Sequence, residues 1–306
     1  MGIDQAKVQG LKSPTHLPES ERVTREWQAL NKAWWEEAPM RYDWREKIQA
    51  EPGSRGYFEE IDRRFFESVR HYMPWQERPF DNLIDFSNLA DKDVLEIGVG
   101  FGSHAQLIAP FSKSFTGIDL TQKATEATSR RLQLFGIPAR VLCMDAERMS
   151  FPDESFDFIW SWGVIHHSAN PLQILREMHR VLKPGGRAAV MIYHRSFWKY
   201  YVVDGFIKGI LCGDLFRRGS LLSVNQTGTD GAIARYYRPE EWRKLCEGLF
   251  HVERFLITGQ KSDVIPLPAG NFKNRMEKIL PDRLTRSLTN HLKLGSFLIA
   301  EMKRKN

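Results

Sequence analysis

Residues 94–105 read Val-Leu-Glu-Ile-Gly-Val-Gly-Phe-Gly-Ser-His-Ala, and no other stretch constrains the fold as much. An apolar run, Val94 to Ile97, enters a loop with glycine at every second position: Gly98, Gly100 and Gly102. A helix is predicted to start near Ser103. Glycine lets a turn take positive φ and lets a ligand lie against bare backbone. The start of a helix presents unpaired N–H groups and a partial positive charge. Asp119, 21 residues after Gly98, closes the apolar run from Phe115 to Ile118. A carboxylate at a strand tip about 20 residues beyond a glycine loop is placed to hold two vicinal ribose hydroxyls. These residues predict a nucleoside-binding half of a doubly wound α/β domain.

The spacing narrows the ligand. A dinucleotide fingerprint is G-x-G-x-x-G. Here the pattern is Glu96-x-Gly98-x-Gly100-x-Gly102, with an acid two residues before the first glycine. This resembles the S-adenosylmethionine loop of class I methyltransferases. Further segments carry the same resemblance in unbroken order over roughly residues 90–194. Val141 to Ala146 resembles the third strand, ending in an adenine-contacting acid, Asp145. Phe151 to Ser161 resembles the approach to the fourth strand, and Gly163 to His167 follow it. Leu175 to Gly186 resembles the helix and turn before the fifth strand. The resemblance implies a Rossmann-like, seven-stranded, mostly parallel sheet of order 3-2-1-4-5-7-6 with the last strand antiparallel. It implies S-adenosyl-L-methionine as cofactor and leaves the methyl acceptor open.

Composition sets outer bounds. The chain has 306 residues, 42% hydrophobic and 27% charged, an ordinary globular balance. No uncharged apolar run reaches 18 residues, so no membrane span is expected. Met1 to Glu21 is polar, contains Pro14 and Pro18, and lacks the apolar centre of a signal peptide. Cys143, Cys212 and Cys246 are far apart and fit no metal or disulfide spacing, so no metal is expected and a reducing cytoplasm suits them. The net charge of +6 is spread along the chain; Lys303-Arg304-Lys305 reads as a solvated run.

Four parts are predicted. Residues 1–20 read as a mobile leader. Residues 21–89 read as helices dense in aromatics, among them Trp27, Trp34, Trp35, Trp44, Tyr57 and Phe65, and as a lid on the core that also packs against it. Residues 90–194 alternate strand and helix, which implies a parallel sheet. Within them Asn170 is placed to cap a helix and Pro171 fits its first position. Leu172, Leu175, Met178 and Leu182 recur on one face, and Pro184-Gly185-Gly186 stops it before a strand from Arg187 to Tyr193. Residues 195–306 read as an insertion, a helix from Pro239 to Leu249, strands at 252–257 and 297–302, and a helical, basic stretch from Asn271 to Leu292.

Methyl transfer from a sulfonium is an in-line displacement in which positioning supplies much of the catalysis. A base is needed only when the acceptor must lose a proton. Candidate bases lie near the ends of the fourth and fifth strands: His166, His167, Tyr193 and His194. Histidine titrates near neutrality and suits a hydroxyl acceptor; equally, one of the paired histidines can pack beneath the loop on backbone partners. The resemblance places Glu96 at the loop or the donor's methionine end and Asp119 on the ribose, although Asp119 can also cap the helix opening at Thr121. Asp145 and the Ala146 N–H face the adenine edge, or Asp145 caps a turn. Leu120 and Met144 sandwich the base or belong to the core. Ser161 and Trp162 lie along the methionine tail, or Trp162 is packing. Tyr57 is the lid residue expected to reach the cofactor.

The lid and the long insertions favour a small-molecule acceptor, methylated on oxygen or nitrogen. The alternative is an RNA or protein methyltransferase. There is no recognisable RNA-binding module and no Asn/Asp-Pro-Pro-Tyr/Phe motif, so nucleic acid is not the expected partner. The intact loop and Asp119 disfavour a non-catalytic scaffold, and the glycine spacing disfavours a dinucleotide oxidoreductase.

Overall fold

The computed structural model describes residues 8, 10–43, 46–267 and 270–306; Trp44 lies outside the described residues. Helix α1 (Glu21–Glu37) starts where the Ser20 hydroxyl accepts from the Val23 N–H, and it buries Trp27 and Asn31. Helix α2 (Arg55–Tyr72) is capped by Ser54 and buries a continuous stripe from Tyr57 to Tyr72. The core then alternates: β1 (Asp93–Ile97), α3 (Ser103–Ile108), β2 (Ser114–Asp119), α4 (Gln122–Leu134), β3 (Arg140–Cys143), β4 (Phe156–Trp162), α5 (Pro171–Val181) and β5 (Leu182–Tyr193). A π-helix (Phe197–Leu211) opens the last part. Helices α6 (Asp214–Arg218), α7 (Leu221–Gln226) and α8 (Pro239–Leu245) follow it. Strand β6 (Phe250–Thr258), helices α9 (Lys261–Val264), α10 (Asn271–Ile279) and α11 (Asp282–Arg286), and strand β7 (Phe297–Arg304) complete the chain.

The seven strands form one sheet in the predicted order, β3-β2-β1-β4-β5-β7-β6. The first five run parallel, and β7 is antiparallel to both its neighbours. Alternate residues of each strand feed opposite faces, as a pleated strand requires. On one face Leu95, Ile97, Ile159 and Val190 pack with Ile174 and Met178 of α5 and Trp242 of α8. On the other, Val94, Trp160 and Met191 pack with Ala105 and Ile108 of α3 and with Phe65, Val69 and Phe80 of the N-terminal part.

Several details differ from the sequence reading. Asn170 caps α5 and Pro171 opens it, but the buried face is Ile174, Leu175, Met178 and Val181, with Leu172 half-buried. Leu182 already pairs with Phe156, so Pro184-Gly185-Gly186 is a bulge within β5 rather than a turn ahead of it. A Cβ on Gly186 would stand 2.8 Å from the Lys183 carbonyl oxygen. The basic stretch 271–292 is broken at Pro281 into α10, α11 and a last π-helical turn. The described part of the leader is hydrogen-bonded to the insertion. The Val8 N–H donates to the Ala232 carbonyl, the Tyr236 N–H to that of Pro14, and the Arg235 Nε–H to that of His16.

Candidate functional site

The glycine loop has the positive φ that its sequence predicts: +83° at Gly98, +51° at Gly100 and +81° at Gly102. The three positions differ in what surrounds them. A Cβ on Gly98 would lie 2.2 Å from Val164, and one on Gly102 would crowd Thr128 and Arg131, whereas one on Gly100 would meet nothing within 4 Å. Gly98 and Gly102 are therefore packing glycines, and Gly100 faces open space. The loop is held from behind by α4. Thr128 Oγ1 donates to the Gly100 carbonyl at 2.9 Å. The fully buried Arg131 guanidinium donates to the Phe101 carbonyl at 3.0 Å and to Gln106 Oε1 at 2.7 Å, and it pairs with Asp62 of α2. Sequence reading missed Arg131 and Asp62, because their pairing joins segments 69 residues apart.

Asp119 ends β2 beneath this loop. Its Oδ2 accepts from the Gly100 N–H at 3.1 Å, and its Oδ1 accepts from the N–H and hydroxyl of Thr121 at 3.0 and 2.8 Å. Burial pushes the carboxyl upward, and these bonds oppose that. Asp119 thus holds Thr121, whose own hydroxyl caps α4, and steadies the loop while also lining a cavity of about 530 Å³.

Gly98, Gly100, Leu120, Met144, Asp145, Ala146 and Trp162 line the same cavity. Asp145 Oδ1 accepts from the Glu147 N–H and from Gln28 Nε2, each at 2.9 Å. Gln28 also accepts from the Ala169 N–H at 3.1 Å, so one side chain of α1 bridges the segment after β3 and the approach to α5. Glu36 of the same helix accepts from the N–H groups of Gln122 and Lys123, at the start of α4. Neither contact was visible in the sequence.

Other expected residues stand behind the cavity wall. Gly102 and Ser161 do not line it; the Ser161 hydroxyl donates to the Ile97 carbonyl at 3.2 Å. Tyr57 does not reach it either. Its ring packs 5.7 Å from Phe58 and 6.3 Å from Phe101, because its position on α2 faces the outer side of the loop. Glu96 is 1% exposed, neither of its oxygens has a hydrogen-bond partner, and His104 Nδ1 is 3.6 Å away. Burial, reinforced by Asp119, pushes the Glu96 carboxyl well above the usual range.

The four candidate bases separate clearly. His166 is fully buried outside the cavity lining. Both its nitrogens lack partners, and burial holds it well below the usual histidine range. His167 lines the cavity, and its Nδ1 donates to the Ile233 carbonyl at 2.6 Å. The indole of Trp35, from α1, meets its ring edge-on at 5.1 Å. His194 lines the cavity too, with Nδ1 donating to the Gly295 carbonyl at 2.8 Å. Tyr193 stacks on Tyr236 and Phe297, and burial raises its phenol above the ordinary tyrosine range. Beyond them the cavity runs under the insertion, past Tyr200, Asp204, Asp263 and Lys273.

Residues 95–190 match a family described as a methyltransferase domain. The 27-O-demethylrifamycin SV methyltransferase of Amycolatopsis mediterranei is 34% identical over 32% of this chain and 37% of its own length. An uncharacterised methyltransferase, YcgJ of Bacillus subtilis, is 36% identical over 32% and 39%. A ubiquinone biosynthesis O-methyltransferase of Aromatoleum aromaticum is 27% identical over 65% and 82%. The chain thus spans well under two thirds of the length of the first two relatives. With the loop, the strand-tip acid and the 3-2-1-4-5-7-6 sheet, these matches liken residues 95–190 to the methyltransferase domain of class I S-adenosylmethionine-dependent enzymes.

Proposed function

We propose that this chain transfers a methyl group from S-adenosyl-L-methionine, by in-line displacement, to an oxygen or nitrogen of a small-molecule acceptor. One observation carries the reading. The open face of Gly100, the Asp119 carboxylate and the His167 ring belong to one cavity of about 530 Å³. That size suits a small ligand rather than a polymer. The donor fits these residues. Asp119 would accept from the ribose hydroxyls, Asp145 and the Ala146 N–H would meet the adenine edge, and Leu120 and Met144 would flank it. Gly98 and Trp162 would bound the amino-acid end, with Glu96 and Ser161 supporting the loop from behind. When bound, the donor supplies a methyl carbon already activated by a positive sulfur. Of the four candidate bases, His167, held in the cavity wall through Nδ1, would take the acceptor's proton, and Tyr193 and His194 would shape the acceptor's side. Residues 21–89 would act as the lid, with Trp35 and Gln28 on its inner surface. Two of the named relatives methylate small molecules by their names, which supports this acceptor class. Three free thiols, two of them exposed, suit a reducing cytoplasm.

Calorimetry with S-adenosylmethionine and with NAD tests the cofactor. Binding of the first alone is expected, and binding of NAD alone would reject the reading. Turnover of a panel of hydroxyl and amine acceptors, followed by demethylated donor, then tests the acceptor class. Methylation of RNA or protein but of no small molecule would favour the alternative.

A further inference from the structure

Ten of the twelve exposed large apolar side chains among the described residues fall between Phe197 and Leu292. Such crowding is not the scattered exposure of an ordinary surface, and contiguous apolar area marks an interaction site. On α10 they recur as Phe272, Met276 and Ile279, a helical stripe turned to solvent. On the π-helix they include Phe206 and Ile210, and on α6 Phe216 is 81% exposed. These elements are neighbours: the π-helix packs on α6 and α9, and α9 packs on α10. Lys199 of the π-helix and Lys273 of α10 line one end of the same cavity. The apolar face is also strongly basic. On α10, Arg275 and Lys278 are exposed beside the stripe, and α6 ends in Arg217 and Arg218, against Glu277 and Asp214 as the acids of these two helices.

We propose that the outer face of the π-helix, α6 and α10 docks on an anionic lipid bilayer. Short helices with Phe, Ile and Met on one side and Lys and Arg beside them lie in the headgroup plane, joining apolar burial to attraction for acidic lipid. Charge decides against a second copy of this chain as the occupant. Self-docking through this face would bring two positive surfaces together, whereas an acidic bilayer neutralises them. No helix among the described residues is long and apolar enough to cross a membrane, so the contact would be peripheral.

The test is co-sedimentation of the full chain with vesicles of phosphatidylcholine alone and of phosphatidylcholine mixed with phosphatidylglycerol. The parent should partition to the mixed vesicles and be released by added salt. F216S/F272S should lower that partition about tenfold or more. R275Q/K278Q should lower it about fivefold per residue, the equivalent of about 1 kcal/mol each. Both variants should keep the parent's melting temperature and donor binding, since the altered side chains are exposed. Failure to bind either vesicle, equal binding to neutral and acidic vesicles, or binding unchanged in both variants overturns the proposal. So does a dimer in sedimentation velocity that F216S/F272S abolishes while no vesicle is bound; that result assigns the face to a second copy.

Discussion

Glu96 and His104 stand 3.6 Å apart, yet they do not form an ion pair. Burial pushes the glutamate well up and holds the histidine down to about 3, so both are biased toward their neutral forms. A carboxyl with a raised folded-state pKa adds stability below its unfolded value and loses it as pH rises toward the folded one. Glu96→Gln should therefore melt above the parent at pH 8, and the two curves should converge near pH 4. A difference that widens toward acid would show that Glu96 is ionised in the folded chain. The glycines allow a second comparison. Gly100→Leu accepts the strain of positive φ, about 1–2 kcal/mol, and fills open space. It should fold yet lose donor binding. Gly98→Ala places a methyl inside Val164 and should lose stability first. Asp119→Ala removes an acceptor of three bonds, and charge-assisted bonds contribute about 1.5–3 kcal/mol. Calorimetry should show donor affinity down tenfold or more, with circular dichroism unchanged.

At the scale of elements, legibility followed locality. The segment from β1 to β5 was readable because strand, glycine turn and capped helix are written within about ten residues of one another. Asn170 and Pro171 mark the start of α5 within two positions. What escaped was written at a distance. The Arg131–Asp62 pair joins α4 to α2, and Gln28 reaches Asp145 across 117 residues. The sequence therefore pointed to Tyr57 as the residue reaching the cofactor, whereas Gln28 and Trp35 of α1 line the cavity. The π-helix was unreadable for a different reason: the positions it buries include the charged Asp204 and Gly209, so no apolar stripe marks one face. Gln28→Ala tests the role of α1. It removes two hydrogen bonds, each contributing about 0.5–1.5 kcal/mol. The dissociation constant for the donor should rise several-fold while the melting temperature stays within a few degrees. A variant that melts much lower with unchanged affinity would make Gln28 a structural strut only.

Across the whole molecule, the N-terminal part and the core share one interior. Phe65, Val69 and Phe80 sit in the same cluster as Val94, Trp160 and Met191. Phe65→Ala is expected to cost roughly 3–5 kcal/mol in chemical denaturation, as for other buried aromatics. A chain beginning at residue 90 should be insoluble for the same reason, so the proposed lid is to be probed by point changes rather than by deletion. Helix α1 buries Trp27 and adds two polar fastenings: Gln28, midway along it, on Asp145 and Ala169, and Glu36, at its far end, on the start of α4. A strap secured at two points over a cavity predicts an order of events: donor is expected to enter before it settles, acceptor to arrive afterwards from the insertion side, and spent donor to leave last. Steady-state turnover should then be slower than a single turnover of preloaded enzyme, and loosening either fastening should narrow that gap.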